Sequence, residues 1–157
     1  MGIISVKEMQ RRMQQVANQS WLENQVEEIV MSDQRKLREL KINEFEKGER
    51  PDGSKIGMYS KTPLGQDYSV LKNRINPLAG FGYVDLMLTH SFSNKLFLKS
   101  YGNRKFEFGS TDNKTGNLLV KYGNEIMGLN KETFEERQKN VYRITLSYQI
   151  QKILNKI

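Results

Sequence analysis

The sequence predicts an α+β fold: a small antiparallel hairpin flanked by long N-terminal and C-terminal helices, with a long extended loop arm. Three observations predict it. Leu86 to Thr111 alternates side chains with period two about Gly102-Asn103, a dipeptide that supplies the positive φ angles of a short turn. Residues 5–47 and 130–157 carry apolar residues at helical three- and four-residue steps. Residues 49–82 hold all three prolines and five of the glycines, which suits an irregular arm. At 157 residues the chain reads as one domain, 1–157, long enough to bury a core.

In order, Ser5 to Asn18 predicts a first helix, with Ile4 ahead of it and Met9, Met13, Val16 and Ala17 on one side. It is polar for its length, so residues 1–18 read as a mobile or partner-binding helix. Ser20-Trp21-Leu22-Glu23 fits a capping box and predicts a second helix running to about Lys47, with Gly48 as its stop. The arm at 49–82 predicts a turn at Pro51-Asp52-Gly53 and a short helix across Gln66–Arg74. Its Ile56, Met58, Tyr59, Tyr68, Val70 and Leu71 give it apolar surface with which to dock on a neighbour.

Residues 83–157 supply the hairpin and the closing helices. On the first strand Phe92, Asn94, Leu96, Leu98 and Ser100 share the core parity, while Lys95, Phe97, Lys99 and Tyr101 share the wet one. From Leu86 to Phe106 the basic residues are Lys95, Lys99, Arg104 and Lys105, with no acid. Thr111 or Asp112 caps a short helix through Tyr122, which Gly123 ends. Asn130 caps a closing helix, on which Phe134, Val141 and Tyr148 form one stripe and Leu146, Ile150, Ile153, Leu154 and Ile157 a second. Two stripes predict two packing surfaces, one for the hairpin and the other for either the long helix of residues 20–47 or another subunit.

The chemistry is defined by what is missing. There is no cysteine and one histidine, His90, so thiolate chemistry and histidine-rich metal sites are excluded. No nucleotide-binding loop, HExxH, calcium loop or Gly-x-Ser-x-Gly elbow occurs. The neighbouring Glu135 and Glu136 project about 100° apart on a helix, so they do not share a substrate. Asp85 with His90 reads as two ordinary polar residues, and Asp112-Asn113-Lys114 as a turn and cap. The expectation is therefore no catalytic, cofactor or metal site, hence no enzyme. No apolar run approaches the ~20 residues of a membrane helix, and the first residues lack a secretory core. Met1-Gly2 begins a myristoylation signal that Val6 does not continue.

Charge is uneven. Residues 1–50 balance nine Lys/Arg against nine Asp/Glu, so residues 51–157, with sixteen against nine, carry the whole net charge of +7. That favours a polyanion or an acidic protein surface as neighbour. A small basic nucleic-acid-binding accessory protein is the competing reading, although no helix-turn-helix, zinc finger or RNA-binding signature is present.

The order of motifs adds a resemblance. Asp52-Gly53-Ser54-Lys55 with Tyr59-Ser60, the run Asp85 to Phe92, Phe108-Gly109-Ser110-Thr111, and Lys121-Tyr122-Gly123-Asn124-Glu125-Ile126-Met127-Gly128-Leu129 together resemble the bacteriophage virion-morphogenesis or tail-completion proteins of the head–tail junction. Similar proteins carry Thr-Gly where this chain has Thr89-His90. The resemblance covers about residues 45–157. It implies a structural virion protein of the neck, head–tail connector or tail-terminator type, assembled in the bacterial host cytoplasm. Copies would form a homo-oligomeric ring joining portal or adaptor proteins to tail proteins and letting DNA pass. Head-to-tail rings need two unlike complementary surfaces. Ile56, Met58, Tyr59 and Tyr68 of the arm and Ile150, Ile153, Leu154 and Ile157 of the closing helix are the expected subunit interface. Lys95, Lys99, Arg104 and Lys105 are expected to face the channel or DNA.

Overall fold

Ser5 opens the first helix as predicted, its Oγ accepting the Glu8 N–H at 3.2 Å. Along the chain the helices are α1 (Val6–Ala17), α2 (Gln19–Ser32), α3 (Gln34–Glu46), α4 (Pro63–Ile75), α5 (Ser91–Asn94), α6 (Thr115–Tyr122), α7 (Lys131–Arg137) and α8 (Arg143–Leu154). The strands β1 (Leu96–Ser100) and β2 (Phe106–Ser110) form a two-stranded sheet. These elements come from a computed structural model that describes residues 5–87 and 90–155. Ile4, Leu88, Thr89 and Ile157 lie outside the described residues. The architecture is α+β, a small antiparallel hairpin with helices before and after it. The chain forms two compact units: Met1–Asp33 with Ser100–Phe106 and Glu135–Ile157, and Gln34–Lys99 with Glu107–Phe134.

In the first unit, α8 packs on α1 and α2. The start of α2 is not Ser20 but Asn18, whose Oδ1 accepts the Trp21 N–H at 3.0 Å while its own N–H closes α1 onto Gln15 O. One residue thus serves two helix ends, by its side chain and by its backbone. The long helix expected over 20–47 breaks at Asp33, where φ is −90° and ψ 3°. Aspartate is a poor helix former because its carboxylate finds other partners. Here those are Arg137, through Nε at 3.0 Å and Nη2 at 2.5 Å, and the Tyr142 hydroxyl at 2.8 Å.

The closing helix reaches Asp33 by a change of pitch. Residues Gln138–Tyr142 form a π turn, with the Arg143 N–H bonded to Gln138 O. In a regular α-helix residues five apart point about 140° from each other; one residue of bulge brings them back to one side. Arg137 and Tyr142 therefore meet the same carboxylate. The same bulge rephases every residue after it, so the predicted Phe134–Val141–Tyr148 stripe is lost. Tyr142 is buried and Tyr148 is 66 % exposed.

The second unit holds most of the described core. Phe45, fully buried, meets Phe92 at 5.5 Å between centroids, and Leu37, Val84, Leu96, Phe108 and Ile126 are buried too. Gly48 ends α3 as predicted, at φ 64°. The Glu49 N–H reaches Glu44 O and the Gly48 N–H reaches Phe45 O, the paired bonds of a Schellman turn. A Cβ on Gly48 would stand 2.5 Å from Val84 O, so glycine is also needed there for close backbone approach.

Two ion pairs lie in this interior. Lys41 is wholly buried, 2.7 Å from Glu44 and 4.5 Å above the Phe45 ring, and Glu44 also accepts the Asn130 N–H at 2.8 Å. Burial, partly offset by Glu44, lowers the Lys41 pKa. Lys72 pairs with Asp85, whose other bonds come from Asn76 Nδ2 at 2.8 Å and Met87 N at 3.2 Å.

The predicted arm is ordered and carries a longer helix than expected. Thr62 caps α4 through Oγ1 at 3.3 Å from Gly65 N, with Pro63 in the first turn. Glu49 bridges to Lys55 within the arm, and Met58 to Tyr83 just beyond it. Strand character also begins later than the alternation implies: Ser91–Asn94 is helical. Its Ser and Asn side chains compete with a ladder, with Ser93 Oγ bonding His90 O and Ser91 Oγ bonding Asp112. The helix expected from Thr111 or Asp112 starts at Thr115, because Asp112 Oδ1 accepts Lys114 N in a turn at 2.9 Å.

Candidate functional site

The hairpin faces as its alternation predicts. Leu96, Leu98 and Phe108 are buried, whereas Lys95, Phe97 and Lys99 are exposed. Three consecutive residues, Gly102, Asn103 and Arg104, take positive φ, so the turn is one residue longer than Gly102-Asn103. The bonds from Tyr101 N to Lys105 O and from Thr111 N to Lys95 O fix the register. That register sets Lys99 opposite Glu107 and Phe97 opposite Gly109. A Cβ on Gly109 would stand 2.4 Å from the Phe97 ring, so the ring lies over the bare glycine rather than out in water.

The basic face is consequently less bare than its composition implies. Lys95 Nζ lies 3.4 Å from Asp112 Oδ2, and Lys99 has an acid across the ladder. Glu107 and Asp112 stand just beyond the acid-free run of Leu86 to Phe106. The remaining two expected cations, Arg104 and Lys105, are exposed at the hairpin tip, which belongs to the other unit.

The expected interface residues also separate. Ile56 is 3 % exposed, held in the core of its own unit, and offers nothing to a neighbour. Met58 is 62 % exposed. Tyr59 and Tyr68 are half-buried, edge to face at 5.0 Å. Met58, Val70 and Phe81 line an open groove of about 550 Å³, with Lys61 and Asp67 on its walls. Phe81 is 60 % exposed. It was not among the expected residues, because a lone Phe between two glycines carries no periodic signal.

On α8, Ile150, Ile153 and Leu154 are half-buried within a helix that packs on α1 and α2, so this stripe largely serves its own unit. The exposed apolar pair is Ile144 and Tyr148, one turn apart, bordered by Arg143, Ser147 and Gln151. The π turn creates this pair by rephasing the helix.

A second concavity in the Gln34–Lys99 and Glu107–Phe134 unit, about 350 Å³, is lined by Tyr59, Tyr68 and Tyr122 with Phe92, Leu118 and the ammonium-bearing Lys114 and Lys121. Burial, then the Asp85 carboxylate, raises the pKa of both Tyr59 and Tyr68, so these phenols stay protonated. Among the described residues no cluster of His, Asp and Glu is arranged to hold a metal ion, and no helix is long and apolar enough to cross a membrane. No protein-family model, no curated protein and no solved structure matches the chain.

Proposed function

We propose that the chain is a structural subunit of a phage neck or tail-completion ring, joined head to tail to copies of itself and seated between portal or adaptor proteins and tail proteins. The observation that carries this reading is a pair of unlike exposed apolar surfaces. One is the groove of Met58, Val70 and Phe81; the other is the exposed α8 face of Ile144 and Tyr148. Contiguous apolar surface of this kind marks interaction sites. Two different surfaces are what a heterologous, closing contact requires.

Function on this reading lies in geometry. Any contact with passing DNA falls to Arg104 and Lys105, since Lys95 and Lys99 have acidic neighbours. Such contact is non-specific and salt-sensitive.

The test is complementation between Phe81→Asp and Tyr148→Asp, both at exposed sites that leave the fold intact. Each variant alone should lose the rings that wild type forms at high concentration in electron micrographs. Mixed, the two should give heterodimers by sedimentation, since one sound groove and one sound α8 face remain. A wild-type chain that stays monomeric to about 1 mM, on the affinity scale of weak protein contacts, overturns the proposal. So does ring formation untouched by both substitutions.

A further inference from the structure

The cavity beside α6 has a chemistry that the ring reading does not use. Lys114, the N-cap residue of α6, and Leu118, Lys121 and Tyr122 within it fall at i, i+4, i+7 and i+8, so they lie along one side. Tyr68 of α4, Tyr59 of the arm, and Phe92 complete the wall. The polar groups the lining offers are two ammonium groups and the tyrosine hydroxyls, since the Ser91 hydroxyl is already given to Asp112. Neither Lys114 nor Lys121 is in an ion pair among the described residues, and Lys121 Nζ stands 5.1 Å from the Tyr122 ring centroid. Asp85, the carboxylate in the lining, is already held by Lys72, Asn76 and the Met87 N–H, so it does not make the cavity acidic. A complementary ligand brings acceptors, negative charge and a flat apolar body. The volume, about 350 Å³, lies at the small end of ligand pockets, which run from roughly 300 to 1,000 Å³.

We infer that this cavity binds a nucleobase bearing a phosphate, the ring against the tyrosines and the phosphate between Lys114 and Lys121. A planar base meets the aromatic wall whatever its sequence, and a phosphate satisfies two ammonium groups at once. The proposal stands independently of ring formation, because every lining residue belongs to one unit of one chain.

Two sources share this chemistry, a free mononucleotide and one nucleotide of a single strand. Titration calorimetry of the full chain with thymidine monophosphate, thymidine, inorganic phosphate and a ten-residue oligothymidylate distinguishes them. Thymidine monophosphate should bind more tightly than thymidine or phosphate alone, and more weakly as salt rises. Lys114→Glu with Lys121→Glu, both exposed, should weaken it by about tenfold or more, as loss of a phosphate contact predicts. Tyr122→Leu should weaken it with the helix content kept, read by circular dichroism. An oligothymidylate bound about tenfold more tightly than the monophosphate assigns the site to a strand; equal affinities assign it to free nucleotide. No heat from either ligand up to about 1 mM overturns the inference. So does binding that the double lysine reversal leaves unchanged.

Discussion

The two units are held together internally by different means. The unit of Gln34–Lys99 and Glu107–Phe134 has a packed interior of Phe45, Phe92, Leu96, Phe108 and Ile126, with buried ion pairs set inside it. Among the described residues of the other unit, only Ile29, Val30 and Tyr142 are buried and apolar. Its helices α1 and α8 have no buried residue apart from the turn that precedes α8. Such a unit gains little from burial, so directed polar contacts such as Asp33 with Arg137 and Tyr142 carry a larger share of its order. Both units nevertheless keep apolar surface exposed, Ile144 and Tyr148 in the thin one and Met58, Val70 and Phe81 in the packed one, so the difference lies in how each interior is held rather than in which unit keeps surface in reserve.

The largest effect is expected in the packed unit. Phe45→Ala removes a wholly buried ring and leaves a cavity beside Phe92, at a cost of about 3–5 kcal/mol. Urea titration followed by circular dichroism measures it. Trp21, the sole tryptophan, lies in α2 of the thin unit, so its fluorescence reports that unit separately. Phe45→Ala should move the dichroism midpoint further than the fluorescence midpoint. Coincident shifts of equal size would merge the units into one cooperative block.

Asp33→Ala is the counterpart in the thin unit. It removes the acceptor for Arg137 and for the Tyr142 hydroxyl, and should cost about 1–3 kcal/mol, read chiefly by Trp21. Tyr142→Phe deletes only the hydroxyl bond and should cost about 1 kcal/mol. If Asp33→Ala leaves the fluorescence transition in place, polar contacts do not hold that unit.

Much of this contrast is legible in the residues, and its limits are physical. Alternation is read from period alone, so the facing of Leu96, Leu98 and Phe108 follows from the sequence. Gly48, Gly123 and the Asn130 cap are equally local signals, as is Ser5. The π turn has no such signal: Gln138–Tyr142 holds no glycine or proline to mark it, and the extra residue serves the distant Asp33. Asp33 itself follows Ser32, a polar pair at which a break is chemically reasonable, yet the apolar steps run through it. The nucleotide-sized cavity is further out of reach, because Tyr59, Tyr68, Phe92 and Tyr122 lie on separate segments that only tertiary packing brings together. The counter-charges Glu107 and Asp112 were visible as residues, but their pairing with Lys99 and Lys95 needed the register.

Acid should act on the packed unit through Asp112. Its carboxyl is held below the usual range, first by the Ser91 hydroxyl, then by the Lys114 N–H and by Lys95. Across the window between the ordinary aspartate value and this lower one, the native state binds fewer protons than the unfolded chain. Stability present at neutral pH is therefore lost as pH falls through that window. Asp112→Asn should lower stability at about pH 6 and flatten its fall towards about pH 3, as measured by urea titration. An acid limb as steep in the variant as in wild type would move the effect to the other carboxylates held below their usual range, Asp52 and Glu125 in the same unit or Glu8 in the thin one, whose pKa Arg11 and then Arg12 lower to about 2.

The smallest expected effect tests the joint between α1 and α2. Asn18 accepts the Trp21 N–H with its side chain and donates its own N–H to Gln15 O, but only the side-chain bond is removed by Asn18→Ala. The cost should be about 1 kcal/mol, the usual value of a lost N-cap. Ser20→Ala should cost less, since Ser20 sits inside α2 and caps nothing. Because the thin unit has few buried contacts to compensate, the Asn18→Ala shift should appear in Trp21 fluorescence at full size and only in part in the dichroism, to which the helices of both units contribute. Equal sensitivity to Ser20→Ala would return the cap to the Ser-x-x-Glu box and undo the assignment of Asn18.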